Sequence, residues 1–211
     1  MNESHNTDFF RRSIEDYLSA LSNGAPTPGG GSAAGLAGAL GCSLGVMVCN
    51  LTLVRGEHLE LTRLANHLAG LADDLINLAA CDELAFGAYR TAVGLPRSND
   101  EEKMARRTAL EQALVGAAEV PLQMIEVAFT AIDCLRLTAE LGTAHALGDL
   151  MTGGFLLQAM ALGSLENVET NAGSMKSSEN HARFMGAARD ARQQLDIAMT
   201  ALHQAVAVRR S

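Results

Sequence analysis

The sequence predicts an all-α protein, and three observations support this prediction. The 211 residues have a high content of small and aliphatic side chains, with six Phe, two Tyr and no Trp. Apolar residues recur at three- and four-residue steps through most of the chain, which is the period of a helix buried on one face. No segment alternates with a period of two over a useful length. We therefore expect one multihelical domain over residues 1–211, long enough to bury a real core.

The first predicted element is an amphipathic helix from Asp8 to Leu21. Apolar side chains such as Phe10, Ile14 and Tyr17 fall on one stripe, and charged side chains fall on the opposite one. Gly24 and the prolines after it end this helix. The preceding residues lack the basic and apolar regions of a signal peptide, so a cytoplasmic location is expected.

The next segment, Ala25 to Ser32, reads APTPGGGS and is predicted to be a loop that leads into a helix. Its two prolines disfavour helical structure before Gly29. The three glycines allow the backbone to approach a ligand closely. Ser32 is predicted to be the N-cap of the following helix. A bare loop at the positive end of a helix dipole is suited to hold an anionic or carbonyl group.

The helix behind this loop, from Ala33 to Val54, contains no charged residue. Four glycines recur in it, and each costs about 0.5–1 kcal/mol of stability relative to Ala. Something must therefore pack very close to that face. A neighbouring helix is the favoured explanation and a bound ligand is the alternative. The glycines are Gly35, Gly38, Gly41 and Gly45.

The same run has the length and small-residue spacing of a membrane-spanning helix. Its low hydrophobicity, the polar residues Ser43, Asn50 and Thr52, and the lack of flanking aromatic residues argue against that interpretation. No second run of this kind is evident. We therefore expect the buried central helix of a soluble protein.

Five further helices are predicted in the remainder of the chain. Ser98 and Glu101 have capping-box spacing at the start of the second of them, and Asn99 and Glu102 have the same spacing in another register. Pro121 is expected in the first turn of a separate helix. The first is long enough to be broken or to form a hairpin arm. The predicted helices are about Glu57–Val93, Asn99–Glu119, Val120–Leu141, Leu147–Val168 and Ser178–Val208, where Pro121 divides one region into two.

Two acidic residues are candidates for chemistry. Asp82 lies among small apolar residues, where burial would raise the pKa of its carboxyl group and suit it to acid–base catalysis. The alternative is that Asp82 or Glu83 simply faces solvent on an amphipathic helix. Asp149 is either a second functional acid or a first-turn residue that stabilises a helix dipole.

Polar and basic residues give further candidates. Asn50 is predicted to be a satisfied amide in the core, since an unpaired one would cost about 1–3 kcal/mol. Asn167 and Asn171 lie one turn apart and share a helical face. A basic cluster is either a solvated surface or a contact for an anionic substrate tail. It comprises Arg97, Lys103, Arg106 and Arg107.

Cysteine, histidine and charge content exclude several classes of site. The four cysteines form no CxxC pair and are predicted to be buried free thiols. His145 has no second histidine at metal-ligand spacing, so no metal site is predicted. The net charge of −8 argues against general affinity for nucleic acid.

The run from Leu21 to Ala34, followed by Met47–Thr52, resembles the signature of the cyclodeaminase/cyclohydrolase family of folate enzymes. That family comprises the cyclodeaminase half of formiminotransferase-cyclodeaminase and the stand-alone methenyltetrahydrofolate cyclohydrolases. The resemblance covers about Asp8 to Lys176. It continues in order through Asp82–Phe86, Leu95–Arg97, Glu101–Lys103, Val120–Leu122, Asp149 and Asn167–Asn171.

The resemblance implies a homodimeric helical fold with a helical-hairpin dimerisation element and a reduced-folate substrate. The reaction would take place at the one-carbon bridge between N5 and N10 of tetrahydrofolate, without a metal or redox cofactor. Cyclohydrolase activity is slightly favoured over cyclodeaminase activity because no transferase half accompanies this domain. The other possibilities are a folate-binding module without turnover and a purely structural helical dimer.

The resemblance also implies roles for individual residues. Asp82 would be the leading acid–base or cation-stabilising group, with Asp149 as its partner. Arg97, and less surely Lys103 or Arg106, would contact the glutamate tail. The remaining substrate-binding residues would be Pro28, Gly29, Gly30, Gly31, Ser32, Asn50, Asn167 and Asn171.

Two segments depart from the family pattern. Family members commonly have Gly and a Lys-Lys-Tyr segment where this chain has Leu53–Leu59, which leaves Arg55 and His58 as nearby polar candidates. A Gly-Asn-x-Asn-like loop is replaced by Gly142–His145. Both departures are expected near the site, and they leave the fold assignment firmer than the activity.

Overall fold

In the computed structural model, residues 13–211 are described, and this part of the chain contains helices and no strand. The all-α prediction is confirmed. Residues 8–12 of the predicted first helix lie outside the described residues. The helices are α1 (Ile14–Ser22), α2 (Gly30–Leu53), α3 (Leu59–Val93), α4 (Asp100–Leu141), α5 (Leu147–Ser174) and α6 (Ser178–Arg210), with a 3₁₀ turn at Ala144–Ala146.

The uncharged helix α2 is the centre of the bundle and packs mainly against α3 and α5. Its glycines lie where other helices approach most closely. A Cβ atom on Gly35 would lie 2.9 Å from the carbonyl oxygen of Leu75, and one on Gly41 would lie 2.7 Å from that of Gly153. The explanation of close helix packing is therefore confirmed for these glycines.

The start of α2 differs from the prediction. The N-cap is Gly29, and Ser32 lies inside the first turn, where it is fully buried. The Ser32 hydroxyl instead hydrogen-bonds the phenol of Tyr17 from α1, with an oxygen–oxygen distance of 3.2 Å. The prediction that Ser32 caps the helix is wrong because the two preceding glycines already adopt helical structure.

Helices α3 and α4 form a long antiparallel hairpin joined by residues 94–99. Helix α3 runs unbroken, and Asn99 caps α4 by accepting a hydrogen bond from the Glu102 N–H at 2.8 Å. The predicted division of α4 at Val120 is wrong, since Pro121 lies inside one continuous helix.

The continuity of α4 through Pro121 has a specific cause. Proline has no N–H, so the carbonyl four residues earlier, that of Ala117, loses its helical partner. The side-chain amide of Asn171 in α5 donates to this carbonyl at 2.8 Å. A side chain from the neighbouring helix therefore replaces the missing backbone hydrogen bond.

Helix α6 is joined to α4 by one carboxylate. Glu111 accepts hydrogen bonds from the backbone N–H groups of Lys176 and Ser177 at 2.9 and 3.3 Å, and from the Asn180 side chain at 2.9 Å. These hydrogen bonds lower the pKa of Glu111. They also satisfy donors at the start of α6 that no helix can satisfy internally.

Three of the four cysteines are buried, as predicted, and all four are free. Burial raises the pKa of Cys42 to about 12 and that of Cys134 to about 11, so these thiols are unreactive. Cys81 is exposed, which contradicts the prediction of burial for that residue. It lies on a face of α3 that no other described helix covers.

Three helical segments are long and apolar enough to cross a membrane by length and composition alone. They are Gly30–Leu53, Asp100–Leu141 and Ala144–Ser174. The expectation that only the first run has this character is therefore wrong. Between 39% and 50% of the residues in these apolar windows are buried inside the helical bundle.

Candidate functional site

A cavity of about 350 Å³ lies where the loop before α2 meets α3, α4 and α5. The loop contributes backbone at the start of α2, while α3 contributes two carboxyl groups and two aromatic rings. Helix α5 contributes uncharged polar side chains. The lining residues are Pro26, Thr27, Gly29, Gly30, Gly31, Asp82, Glu83, Phe86, Tyr89, Leu114, Ala117, Asn167, Thr170, Asn171 and Ser174.

The carboxyl group of Asp82 lies directly against the backbone of Gly31. A Cβ atom at Gly31 would be 2.7 Å from Oδ1 of Asp82 and nearer still to Oδ2. Only glycine at this position therefore allows the carboxyl group to reach the start of α2. Desolvation by burial raises the pKa of Asp82 above its ordinary value, as the sequence led us to expect.

Glu83 is a second carboxyl group at the cavity. The sequence pattern indicates it only as a residue that would face solvent in place of Asp82. Desolvation raises its pKa, a hydrogen bond with Ser32 lowers it, and the charge of Asp82 raises it. The Glu83 Oε1 atom is buried and has no hydrogen-bond partner among the described residues. Sequence spacing could not indicate this environment, because Tyr17 and Ser32 are brought to Glu83 from two other helices.

Asn167 and Asn171 both reach the cavity from one face of α5, as their spacing predicts. The Nδ2 atom of Asn171 donates to Ala117, which fixes the orientation of its amide. The Oδ1 atom is therefore left as a hydrogen-bond acceptor at the cavity. Pro28 is buried behind the loop and, like Ser32, supports the lining rather than forming it.

A basic cavity of about 660 Å³ adjoins the first one and shares Tyr89, Leu114 and Ser174 with it. The structure places three of the four members of the predicted basic cluster there. Lys103 forms an ion pair with Asp100 at 2.8 Å, and Arg106 donates to the carbonyl of Val93. The cationic lining residues are Lys103, Arg106, Arg107 and Lys176.

Arg97 is exposed and lines neither of these two cavities. It follows the turn at the tip of the hairpin, where the chain leaves α3. Lys176 lines the basic cavity instead, although the sequence did not single it out. Its position follows from the break between α5 and α6, because α5 continues to Ser174, six residues beyond its predicted end at Val168.

Asp149 and Asn50 lie at the other end of the bundle. Asp149 is exposed in the first turn of α5, about 27 Å along the helix axis from Asn167. Asn50 is exposed near the end of α2, so its predicted place as a core amide is wrong. Within one chain, neither residue reaches the cavity that contains Asp82.

The two segments that depart from the family pattern also lie at this far end. His58 caps α3 by accepting from the Leu61 N–H at 3.3 Å, and Thr52 accepts from the Thr143 N–H at 2.9 Å. The expectation that these departures border the cavity is wrong within one chain, since α2 alone separates its two ends by about 35 Å.

Among residues 13–211, no group of three or more His, Cys, Asp and Glu side chains is arranged to hold a metal ion. The groups in the cavity that can take part in acid–base chemistry are the carboxyl groups of Asp82 and Glu83, which lie beside the start of α2. No side chain from the described residues caps that helix start. The arrangement is suited to stabilise a cation and to move a proton.

Comparison with known proteins gives consistent results. Residues 13–190 match the family model described as Formiminotransferase-cyclodeaminase. The chain is 37% identical over 163 residues to a methenyltetrahydrofolate cyclohydrolase from Methylorubrum extorquens, which covers 75% of this chain and 78% of that protein. It is 30% identical over 159 residues to a formimidoyltransferase-cyclodeaminase from Gallus gallus, covering 74% of this chain and 29% of that longer protein.

The fold is also similar to a solved structure. The crystal structure of a formiminotetrahydrofolate cyclodeaminase from Thermotoga maritima superposes with a TM-score of 0.81, covering 93% of this chain and 96% of that one. The sequence identity is 24%, so this likeness establishes the architecture.

Proposed function

Because the chain belongs to the formiminotransferase-cyclodeaminase family, we propose that it is a folate one-carbon enzyme that hydrolyses 5,10-methenyltetrahydrofolate to 10-formyltetrahydrofolate. The similarity to a cyclohydrolase over three quarters of both chains supports this reaction. The bridge carbon keeps the formate oxidation level throughout, so the chemistry requires no redox cofactor.

The observation that carries the proposal is the buried carboxyl group of Asp82 against the start of α2. The methenyl bridge is cationic, and a desolvated carboxylate stabilises a nearby positive charge more strongly than a hydrated one does. The raised pKa of Asp82 reflects the same desolvation. Water that adds to the bridge carbon must also lose a proton, for which the second carboxyl group is available.

The two adjoining cavities together offer contacts for the pterin, the aromatic linker and the glutamate tail of a folate. The first offers acceptors for the nitrogen-rich pterin, namely two carboxyl groups and the Asn171 amide oxygen. Tyr89 and Leu114, which both cavities share, suit the aromatic linker. The cationic residues of the second cavity suit the carboxylates of the glutamate tail.

The test is hydrolysis of 5,10-methenyltetrahydrofolate, followed by the loss of its near-ultraviolet absorbance and compared with the uncatalysed rate. We expect rapid hydrolysis by the wild-type protein and a fall in kcat of about 10²-fold or more for Asp82→Asn. The matched control is Asp74→Asn, which changes an exposed acid on the same helix. Unchanged turnover in Asp82→Asn would reject the role of Asp82.

The second candidate function is cyclodeamination of 5-formiminotetrahydrofolate, in which N10 attacks the formimino carbon and ammonia leaves. The formimidoyltransferase-cyclodeaminase relatives favour it, although the chain spans less than a third of the length of the Gallus gallus protein. Release of ammonia from that substrate, with no acceleration of methenyl hydrolysis, would replace the first proposal by this one. Binding of a reduced folate without either turnover would indicate a binding module.

We also propose that the protein acts as a homodimer. The outer face of α2 and α5 is apolar and exposed, and α2 has no charged residue. Two copies that each carry a net charge of −8 repel least where they meet through this face. The exposed aliphatic and aromatic residues of this α2–α5 face are Leu40, Met47, Leu51, Val54, Phe155 and Leu162.

The α3–α4 hairpin, expected from the family resemblance to be the dimerisation element, also exposes apolar side chains, which include Leu84 and Met104. A glutamate at Leu40, which is 52% exposed, is expected to dissociate the dimer, whereas a glutamate at Met104, which is 71% exposed, is the control. Sedimentation velocity distinguishes the two. If Met104→Glu dissociates the dimer and Leu40→Glu does not, the interface lies on the α3–α4 hairpin instead.

The predicted partnership of Asp82 and Asp149 requires a second copy, because the two residues lie at opposite ends of one chain. An antiparallel contact through the α2–α5 face would place the far end of one copy beside the cavity of the other. A mixture of inactive Asp82→Asn and Asp149→Asn chains should then regain about a quarter of wild-type activity, since half of the dimers are mixed and each has one intact site. Full activity of Asp149→Asn alone would exclude the partnership.

A further inference from the structure

The cavity contains a second carboxyl group, that of Glu83, to which the proposed reaction assigns no specific role. It follows Asp82 directly on α3, and consecutive helical residues project about 100° apart. Both nevertheless line the same cavity, because the loop before α2 and the start of α2 fold over this part of α3. Two carboxyl groups thus flank one small space from different directions.

The contacts of Glu83 distinguish it from Asp82. Burial is the sole cause that raises the pKa of Asp82, whereas Glu83 also hydrogen-bonds with Ser32. Ser32 is fully buried and is in turn bonded to the phenol of Tyr17. A serine has one proton, so when Ser32 donates to Glu83 the phenol of Tyr17 must be the donor to Ser32.

This chain of hydrogen bonds leaves one carboxylate oxygen of Glu83 unused. The Oε1 atom is buried and has no hydrogen-bond partner among residues 13–211. A buried acceptor without a partner costs about 1–3 kcal/mol or more when charged, so a group from a ligand or a proton is expected to satisfy it. Glu83 therefore has an acceptor atom that awaits a proton or a hydrogen-bond donor.

Two carboxyl groups this close do not ionise equally. Each negative charge disfavours the other, so one of the two tends to keep a proton. The other titratable groups near Glu83 are Tyr17 from α1 and Tyr89 from α3, and the lining residues of α2, α4 and α5 carry no charge. No cation among these lining residues offsets the repulsion within the pair.

We propose, on the basis of the proposed function, that Glu83 is the proton-transfer group of the site and that Asp82 is the carboxylate that faces the cationic bridge carbon. Tyr17 and Ser32 are positioning residues, which hold the Glu83 carboxyl group at the cavity. The two carboxyl groups thus have separate roles within one reaction.

The step balances as follows. Water forms a bond to the bridge carbon and gives one proton to Glu83, which produces a neutral carbinolamine. The bond between that carbon and N5 then breaks, its electron pair goes to N5, and N5 takes the proton from Glu83. The remaining hydroxyl proton leaves to solvent as the formyl C=O forms, so that one proton is released for each turnover.

The first test compares Glu83→Gln with the wild-type protein on 5,10-methenyltetrahydrofolate. Glutamine keeps the size and the contact with Ser32 but cannot take up the proton. We expect kcat to fall by about 10²–10⁴-fold, which is the usual contribution of general acid–base catalysis, while KM changes by less than about threefold. Asp74→Asn is again the control for loss of an acid from α3.

The second test uses Ser32→Ala, which removes the hydrogen bond that favours the ionised form of Glu83. The acidic limb of the pH profile of kcat/KM should then shift to higher pH, because the base must be ionised before water adds. A residue with only a structural role would lower activity without moving this limb. Thermal stabilisation by 5-formyltetrahydrofolate confirms that each variant still folds and binds.

The outcomes separate the two proposals. An active wild-type protein whose Glu83→Gln variant keeps more than half of kcat, or whose pH profile is unmoved in Ser32→Ala, overturns the role of Glu83 and leaves the proposed function intact. A wild-type protein that transforms neither folate substrate overturns the proposed function and the role of Glu83 with it.

Discussion

At the scale of single residues, the site requires a glycine at position 31 as well as the carboxyl group of Asp82. Asp82 reaches the start of α2 only because Gly31 has no Cβ atom in its path. The sequence predicted a carboxyl group with a raised pKa and a glycine loop that something approaches closely. It could not show that each is the partner of the other, because 51 positions separate them along the chain.

The burial of Asp82 also has a consequence for stability. Its pKa is raised in the folded protein, so its favourable contribution is complete below the ordinary value of 3.8 and is lost as the pH rises through the folded value. Asp82→Asn cannot ionise and should therefore melt at a higher temperature than the wild-type protein at pH 7.5. This difference in Tm should shrink as the pH approaches 4.

Calorimetry at several pH values measures the effect, and Asp74→Asn should show no such pH dependence because Asp74 is exposed. A melting temperature of Asp82→Asn below that of the wild type at pH 7.5 would contradict the inferred desolvation. If Asp82→Asn is inactive but more stable than the wild type, the Asp82 carboxyl group lowers the stability of the fold and is kept for activity.

At the scale of elements, the helices were predictable, but the start of α2, the continuity of α4 and the end of α5 were not. Periodicity and capping residues placed α3 and the start of α4 within a few residues. The continuity of α4 through Pro121 depends on Asn171, a side chain 50 positions later. A local rule for proline could not include that hydrogen bond, so the sequence predicted two helices where there is one.

The packing of α2 gives a prediction at the same scale. Gly41→Ala would place a methyl group 2.7 Å from a backbone oxygen of α5, which cannot move aside as a flexible side chain can. We expect a loss of about 1–3 kcal/mol in the free energy of unfolding, measured by urea denaturation. Gly70→Ala, in open space on α3, is the matched control and should gain about 0.5–1 kcal/mol. Equal effects of the two substitutions would refute close packing as the reason for the glycines.

At the scale of the whole molecule, the charged groups are divided between neighbouring cavities. The first contains two acids and no cation, and the second contains four cations and one acid, Glu111, in a protein of net charge −8. The sequence identified the acid and most of the cations. It could not show that Arg97 lies at the hairpin tip, outside the basic cavity. Nor could it show that the turn between α5 and α6 places Lys176 at that cavity.

This division predicts different effects for two arginines. Arg107→Ala should raise KM for a folate substrate by about fivefold with kcat unchanged, since it removes a contact worth roughly 1 kcal/mol to the substrate tail. Arg97→Ala should change neither parameter, because Arg97 lines neither cavity. The effect of Arg107→Ala should diminish in high salt. An equal rise in KM for Arg97→Ala would place the tail elsewhere.

The glycine-packed face of α2 has a further consequence, for motion rather than energy. A core ordinarily adjusts to a disturbance by changes of side-chain rotamer, but the contact face of α2 has few side chains that can rotate. Its amide hydrogens can exchange with solvent only when neighbouring helices separate, so they should be among the slowest to exchange. The segment Gly29–Gly31, although it has the composition of a mobile loop, is thus attached to the part of the protein that opens last.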